Sequence, residues 1–312
     1  MRFVSPLAAT AVVSLWTLTG TAAMPATAAP LRADLHISAG ATQLQPGQAG
    51  VQRVTVDNSG PAAAPSVLLT YVTPMYVNID RSQPLPAGCR MKLTDPDPYI
   101  PEIVTCTLPT LGRNAHLTVG MPLKVTTTAR FTGPDYPMAM VRPQGVQEAN
   151  ITDNWTTAPI NLVQSTTAPA KPAGHLVDLW TTSDIPPLSA GHRGQITFLY
   201  GNKGPRMRGT TQFTFVTPFY VNVDHTRALP PGCTMRLRDA DPMVPEVVHC
   251  AFPGLSAGQQ RRLVVPLALV AGGPHGVAYS MAVIAPDNIH DVERDQSDNV
   301  AGPGVLNISP VT

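Results

Sequence analysis

The sequence predicts an all-β protein made of two tandem antiparallel β-sandwich domains, each carrying one disulfide. Three observations predict it. The second half of the chain restates the first at a fixed offset, apolar residues alternate with a period of two, and the four cysteines fall into two pairs of equal spacing.

The repeat decides the architecture. Val72-Thr73-Pro74-Met75-Tyr76-Val77-Asn78-Ile79-Asp80 returns as Val216-Thr217-Pro218-Phe219-Tyr220-Val221-Asn222-Val223-Asp224, 144 residues later. At that offset, 22 of the 40 residues from Val72 to Leu111 are identical to Val216–Leu255. Asn58-Ser59-Gly60-Pro61 likewise pairs with Asn202-Lys203-Gly204-Pro205, and Asp153-Asn154 with Asp298-Asn299 after a one-residue gap. The expected division is a first domain over 30–165, a linker rich in Thr, Ala and Pro over 166–174, and a second domain over 175–312.

Each element reads as a strand. Leu31, Ala33, Leu35 and Ile37 alternate with Arg32, Asp34, His36 and Ser38, and Leu117, Val119, Met121 and Leu123 do the same. Short alternating runs punctuated by Pro, Gly or Asn-x-Gly belong to an antiparallel sandwich. The 34 prolines among 312 residues disfavour long helices, since an interior proline costs a helix roughly 3 kcal/mol. Asn58-Ser59-Gly60-Pro61 reads as a turn in which Asn and Gly tolerate positive φ and Pro ends the sheet. On the strand 72–80, Tyr76, Asn78 and Asp80 are expected on one face and Val77 and Ile79 on the other.

Composition bounds the function. The net charge is +1 and each half is neutral, which excludes a nucleic-acid reader resting on a basic field. Arg2, the apolar stretch Leu7–Leu18 and Ala26-Thr27-Ala28 read as a secretory signal over residues 1–28. No later apolar run approaches the ~20 residues of a spanning helix, so membrane insertion is not expected. Arginine far outnumbers lysine, the bias of a GC-rich genome, and with the short signal this favours an exported bacterial protein, extracellular or cell-wall-associated.

Cys89 and Cys106 are 17 apart, as are Cys233 and Cys250. Four cysteines allow three connectivities, and the repeat favours Cys89–Cys106 and Cys233–Cys250 in an oxidising compartment. The rival, a four-cysteine zinc site, lacks any C-x-x-C pair and would draw ligands from two domains.

Several segments together resemble a known class. They are Val56-Asp57-Asn58-Ser59-Gly60-Pro61, Leu85-Pro86-Ala87-Gly88-Cys89, Val104-Thr105-Cys106-Thr107-Leu108-Pro109, and their counterparts Leu229-Pro230-Pro231-Gly232-Cys233 and Val248-His249-Cys250. Each unit is similar to the immunoglobulin-like tandem repeats of bacterial secreted and surface proteins, the cell-adhesion-related class and an adjacent class of unknown function. The resemblance covers most of both units. It implies an immunoglobulin-like fold and says little about function, since such repeats act as spacers, stalks and binders alike. The segment Asp80–Cys106 is longer and richer in acids and prolines than the plain repeat, which marks it for a dedicated role.

The shared candidates for a site are therefore acidic and aromatic. Asp80, Asp95, Asp97 and Glu102 match Asp224, Asp239, Asp241 and Glu246 in or beside the bridged loops. Several carboxylates in one irregular loop would suit calcium, while Asp-x-Asp-Pro equally suits turn capping. Tyr76 and Tyr220, with Asn78 and Asn222, would contact a glycan or wall polymer at a loop-bearing end, or would pack and bond structurally. The expected contact surface is Tyr76, Asp95, Asp97 and Glu102 with Tyr220, Asp239, Asp241 and Glu246. No histidine pairs with another across the repeat, and no G-x-S-x-G, H-E-x-x-H or phosphate loop appears.

The expected function is thus non-catalytic: a structural or binding module at the bacterial cell envelope or in the medium. Its partner would be a cell-wall polymer or another secreted protein, and no cofactor beyond calcium is implied. The alternatives are a secreted protease inhibitor anchored by Tyr99 or Met243 in the proline-stiffened loops, and an enzyme confined to the second repeat using His225, His249, Asp224 and Asp239.

Overall fold

The offset of 144 carries through to strand pairing. In the first copy, one sheet runs in the order Leu35–Ala39, Ala49–Asn58, His116–Val125, Val77–Ile79, and a second in the order Trp155–Thr156, Met138–Gln144, Ser66–Val72, Ile103–Leu108, Cys89–Leu93. The second copy repeats both. Its first sheet is Leu179–Asp184, Arg193–Asn202, Gln260–Leu269, Val221–Val223, and its second is Leu188–Ser189, Val300–Ser309, Gly276–Pro286, Thr210–Val216, Val247–Pro253, Cys233–Leu237. The computed structural model describes residues 31–127, 133–163, 175–184, 186–189, 191–270, 276–287 and 291–309. The expected signal segment 1–28 and linker 166–174 lie outside them.

The protein is all-β, with a three-residue 3-10 turn at Ile151–Asp153 and no α-helix among the described residues. Among the described residues, no helix is long and apolar enough to cross a membrane. Among the described residues, strands pair antiparallel except at three short places, Thr42–Leu44 on Ile160–Leu162, His175–Val177 on Asp291–Glu293, and Leu188–Ser189 on the end of Val300–Ser309, with one isolated parallel bridge between Ala33 and Glu148. The main sheets are thus antiparallel, as expected, and the parallel pairs are short additions at a margin or in small separate sheets. Parallel pairs join segments distant in sequence, so no local pattern announces them.

Burial follows the alternation. Val54, Val56 and Asn58 are buried along one strand while their neighbours face outward. The copies fill equivalent positions differently. Copy two packs Phe198, Phe213, Phe215 and Tyr200 with ring centroids 4.9–5.7 Å apart, whereas copy one has Val54, Leu69, Tyr71 and Val56 at those positions. The chain from Leu31 to Thr312 is one compact unit.

Two devices kept in both copies hold the frame. Asn58 is buried, and its side chain accepts from the N–H groups of Asp34 and Gly60 while donating to the carbonyls of Ala62, Leu111 and Gly112. Asn202 does the same with Asp178, Gly204, Pro205 and Leu255. The motif is therefore a buried three-segment tie as well as a turn. Gly60 is required by close approach, not by positive φ, because a Cβ there would lie 2.4 Å from the Asp34 nitrogen.

The second device is the disulfide. Cys89–Cys106 and Cys233–Cys250 bond at 2.04 and 2.02 Å, and no free cysteine is found. Each joins directly opposed residues of neighbouring strands. Gly88 and Gly232 make the turn into each bridge at φ +79° and +86°, a conformation that favours glycine.

Candidate functional site

The bridged loops are built twice from the same bonds. Asp95 accepts the Asp97 N–H at 3.0 Å, and Asp97 accepts the Tyr99 N–H at 2.9 Å. Asp239 and Asp241 repeat this at 2.9 and 3.0 Å. These are Asx turns, in which a short carboxylate satisfies the backbone two residues on. One oxygen of each carboxylate is thus committed to loop shape.

Glu102 and Glu246 lie behind the loops, fully buried. The Glu102 carboxylate accepts the Ile79 N–H at 2.6 Å and pairs with Arg81, while its own N–H donates to Thr73 at 2.9 Å. Glu246 accepts from Val223 at 2.6 Å and bonds His225 at 2.7 Å, and its N–H donates to Thr217 at 2.9 Å. A charged group at this depth is retained only with a partner and full hydrogen bonding. Each glutamate therefore stitches one sheet to the other. Asp80 and Asp224 cap the next turn, and hydrogen bonds from Ser82 and Thr226 hold their carboxyls below the usual range.

Tyr76 and Tyr220 depart from the expected strand face. Both have φ 62°, a left-handed conformation uncommon for a bulky residue. Tyr76 donates its N–H to the Pro98 carbonyl and accepts from Thr126; Tyr220 does so with Pro242 and Val270. The strand starts one residue later, at Val77 and Val221. The left-handed tyrosine turns its ring inward, onto Tyr99 at a 5.3 Å edge-to-face centroid distance in copy one.

The loops of the two copies face one another. Three of the four remaining carboxylate oxygens meet cations of the opposite copy: Lys92 to Asp239 at 2.8 Å, Arg236 to Asp95 at 3.8 Å, and Arg142 to Asp241 at 3.4 Å. Lys92 and Arg236 occupy equivalent positions, as do Asp95 and Asp239, so the first two pairs are one contact made twice. Met75, Tyr76, Tyr99 and Ile100 of copy one belong to a single continuous apolar cluster with Phe219, Tyr220, Met243 and Val244 of copy two. Burial pushes both tyrosine hydroxyls up. Glu293 of copy two acts on Tyr76, and Arg142 and Glu148 of copy one act on Tyr220.

The residues expected to form the contact surface lie mostly inside this joint. Tyr76 and Tyr220 are 1% and 5% exposed, Glu102 and Glu246 0%, and Asp95 9%. Asp97, Asp239 and Asp241 are partly covered at the junction. Tyr99 and Met243, the expected inhibitor anchors, are 2% and 0% exposed, so neither reaches a protease while the copies stay packed. The two candidate histidines of copy two are engaged: His225 by Glu246 at 2.7 Å, and His249 by Thr214 at 3.1 Å, with burial pushing the His249 imidazole down. Among the described residues no three His, Cys, Asp or Glu side chains are placed to hold a metal. Lys92, Arg142 and Arg236 are the site residues that sequence reasoning missed, although a cation at both 92 and 236 was a signal.

No protein-family profile matches the chain, and no curated protein matches it. Solved structures give distant likenesses. The CARDB domain of a Pyrococcus furiosus protein, in complex with di-metal ions, is 18% identical and covers 42% of this chain and 90% of its own, at a TM-score of 0.28. A cohesin module from a Clostridium perfringens family 33 glycoside hydrolase is 10% identical over 43% of this chain and 99% of its own, at 0.25. Escherichia coli alpha-2-macroglobulin activated by porcine elastase is 14% identical over 91% of this chain and 22% of its own, at 0.27.

Proposed function

We propose that this protein is a secreted, non-catalytic structural or binding module of the bacterial cell envelope or medium. It is built from two immunoglobulin-like domains, over 30–165 and 175–312, that act as one rigid body. One observation carries the reading: Asp95, Asp239 and Asp241 of the bridged loops each direct a free oxygen at a cation of the other copy. Residues committed to a joint are not offered to a ligand, so the loops set the angle between the domains. A partner, whether wall polymer or secreted protein, would then meet the outward faces of the sheets.

The test is co-sedimentation of the oxidised mature protein with purified bacterial cell walls, with and without a calcium chelator. Pelleting that ignores chelator and persists in Asp97→Ala is expected. Chelator-sensitive pelleting would restore a metal-holding loop, and protein that stays wholly in the supernatant would end the wall-binding role.

A further inference from the structure

The joint has the form of a homodimer interface. In an isologous contact, residue i of one partner meets j of the other while j meets i. Lys92–Asp239 and Arg236–Asp95 obey that rule at 2.8 and 3.8 Å. The same reciprocity holds farther out, where Glu293 of copy two acts on Tyr76 and Glu148 of copy one on Tyr220, and these glutamates occupy equivalent positions, accepting the Leu179 and Leu35 N–H groups. Each copy therefore carries both halves, a cation at 92 or 236 and an anion at 95 or 239. If the joint opened, Tyr76, Tyr99, Ile100, Tyr220, Met243 and Val244 would meet water together, a surface that calls for a partner.

We propose that this surface also takes a second copy of the chain. Copy one of one molecule docks on copy two of another and the reverse, giving a closed, domain-exchanged dimer with the same two contacts. The inference rests on the joint, and its failure would leave the rigid-module reading standing.

The experiment uses full-length chains with their disulfides intact. Lys92→Glu sets two anions against each other within one chain, and Asp239→Lys sets two cations. Combined in one chain, the two changes restore the pair in cis, and that variant is expected to be monomeric with a near-normal melting temperature. Mixed as separate single-variant chains, incubated in mild denaturant and returned to buffer, they restore the pair only in trans. The expected result is a species of twice the chain mass by light scattering, several-fold more abundant in the mixture than in either variant alone. A rescued cis variant with a wholly monomeric mixture overturns the exchange and keeps the joint. If neither single variant folds, wild-type chains carrying two different tags are taken through the same cycle. Mixed-tag dimers support the proposal, and their absence overturns it.

Discussion

The two copies solve one folding problem with different interiors. Copy one buries a polar chain: the Tyr71 hydroxyl donates to the Gln52 carbonyl oxygen at 2.6 Å, and the Gln52 amide donates to Gly40 and Ala158. Asp135 lies buried beside Tyr71. At the matching positions copy two has Ile196, Phe215 and Ala278, and its core is filled by aromatic rings instead. What both keep is the Asn58/Asn202 tie, the Glu102/Glu246 stitch, the left-handed tyrosine, the disulfide and the Asx-turn loop. The framework is specified by these few polar and strained positions, and the filling between them is exchangeable so long as volume and polar satisfaction are kept.

The largest effects should come from the filling. Phe213→Ala empties the ring cluster of copy two and is expected to cost about 3–5 kcal/mol, against about 2–5 kcal/mol for Leu69→Ala at the matching position, read by chemical denaturation. Next come the bridges. Loss of Cys89–Cys106 by paired serine substitution should cost about 3 kcal/mol, as should loss of Cys233–Cys250, because the two closed loops have the same length. Equal losses would confirm that the loops are equivalent, and a much larger loss in one copy would break the comparison.

Arg81 and His225 sharpen it further, since they are different answers to the same buried glutamate. Arg81→Ala strips Glu102 of its counter-charge and should cost about 2 kcal/mol after allowance for the exposure of Arg81. Arg81→His, copying the second repeat, should cost less than about 1 kcal/mol, and a melt of both variants decides.

The polar interior of copy one also predicts a pH dependence. Burial pushes the Asp135 carboxyl up to about 8, and the Glu293 carboxyl of copy two to about 7. Both folded values exceed those of the unfolded chain, so the folded state holds these protons more tightly. The stability associated with them is intact below the ordinary carboxylate range and is lost as pH rises through about 7 and 8. The melting temperature should fall steadily between about pH 5 and pH 8.5. Asp135→Asn should flatten the upper part of that fall and Glu293→Gln the lower. An unchanged profile in both would contradict the assignment.

Much of the frame was legible in the residues. Period-two alternation from Leu35 to Ile37 and Leu117 to Leu123 marked strands, and the equal cysteine spacing marked the bridges. The Asp-x-Asp-Pro turns were readable because an Asx turn is a local bond. Tyr76 was misread because nothing local announces a bulky residue at positive φ; the bonds to Pro98 and Thr126 that hold it come from distant segments. The joint was hidden for a related reason. A repeat shows that Asp95 and Asp239 are equivalent, but not that each faces the other copy's cation.

The bridged loops clamp one copy on the other through Lys92–Asp239 and Arg236–Asp95. A double-mutant cycle across the joint tests this clamp most directly, with Lys92→Ala, Asp239→Ala and the double variant compared by denaturation of the oxidised chain. A favourable coupling of about 1 kcal/mol is expected, with a similar value for Arg236 and Asp95. Strictly additive losses in both cycles would mean that the loops do not meet in solution, and the clamp would be contradicted.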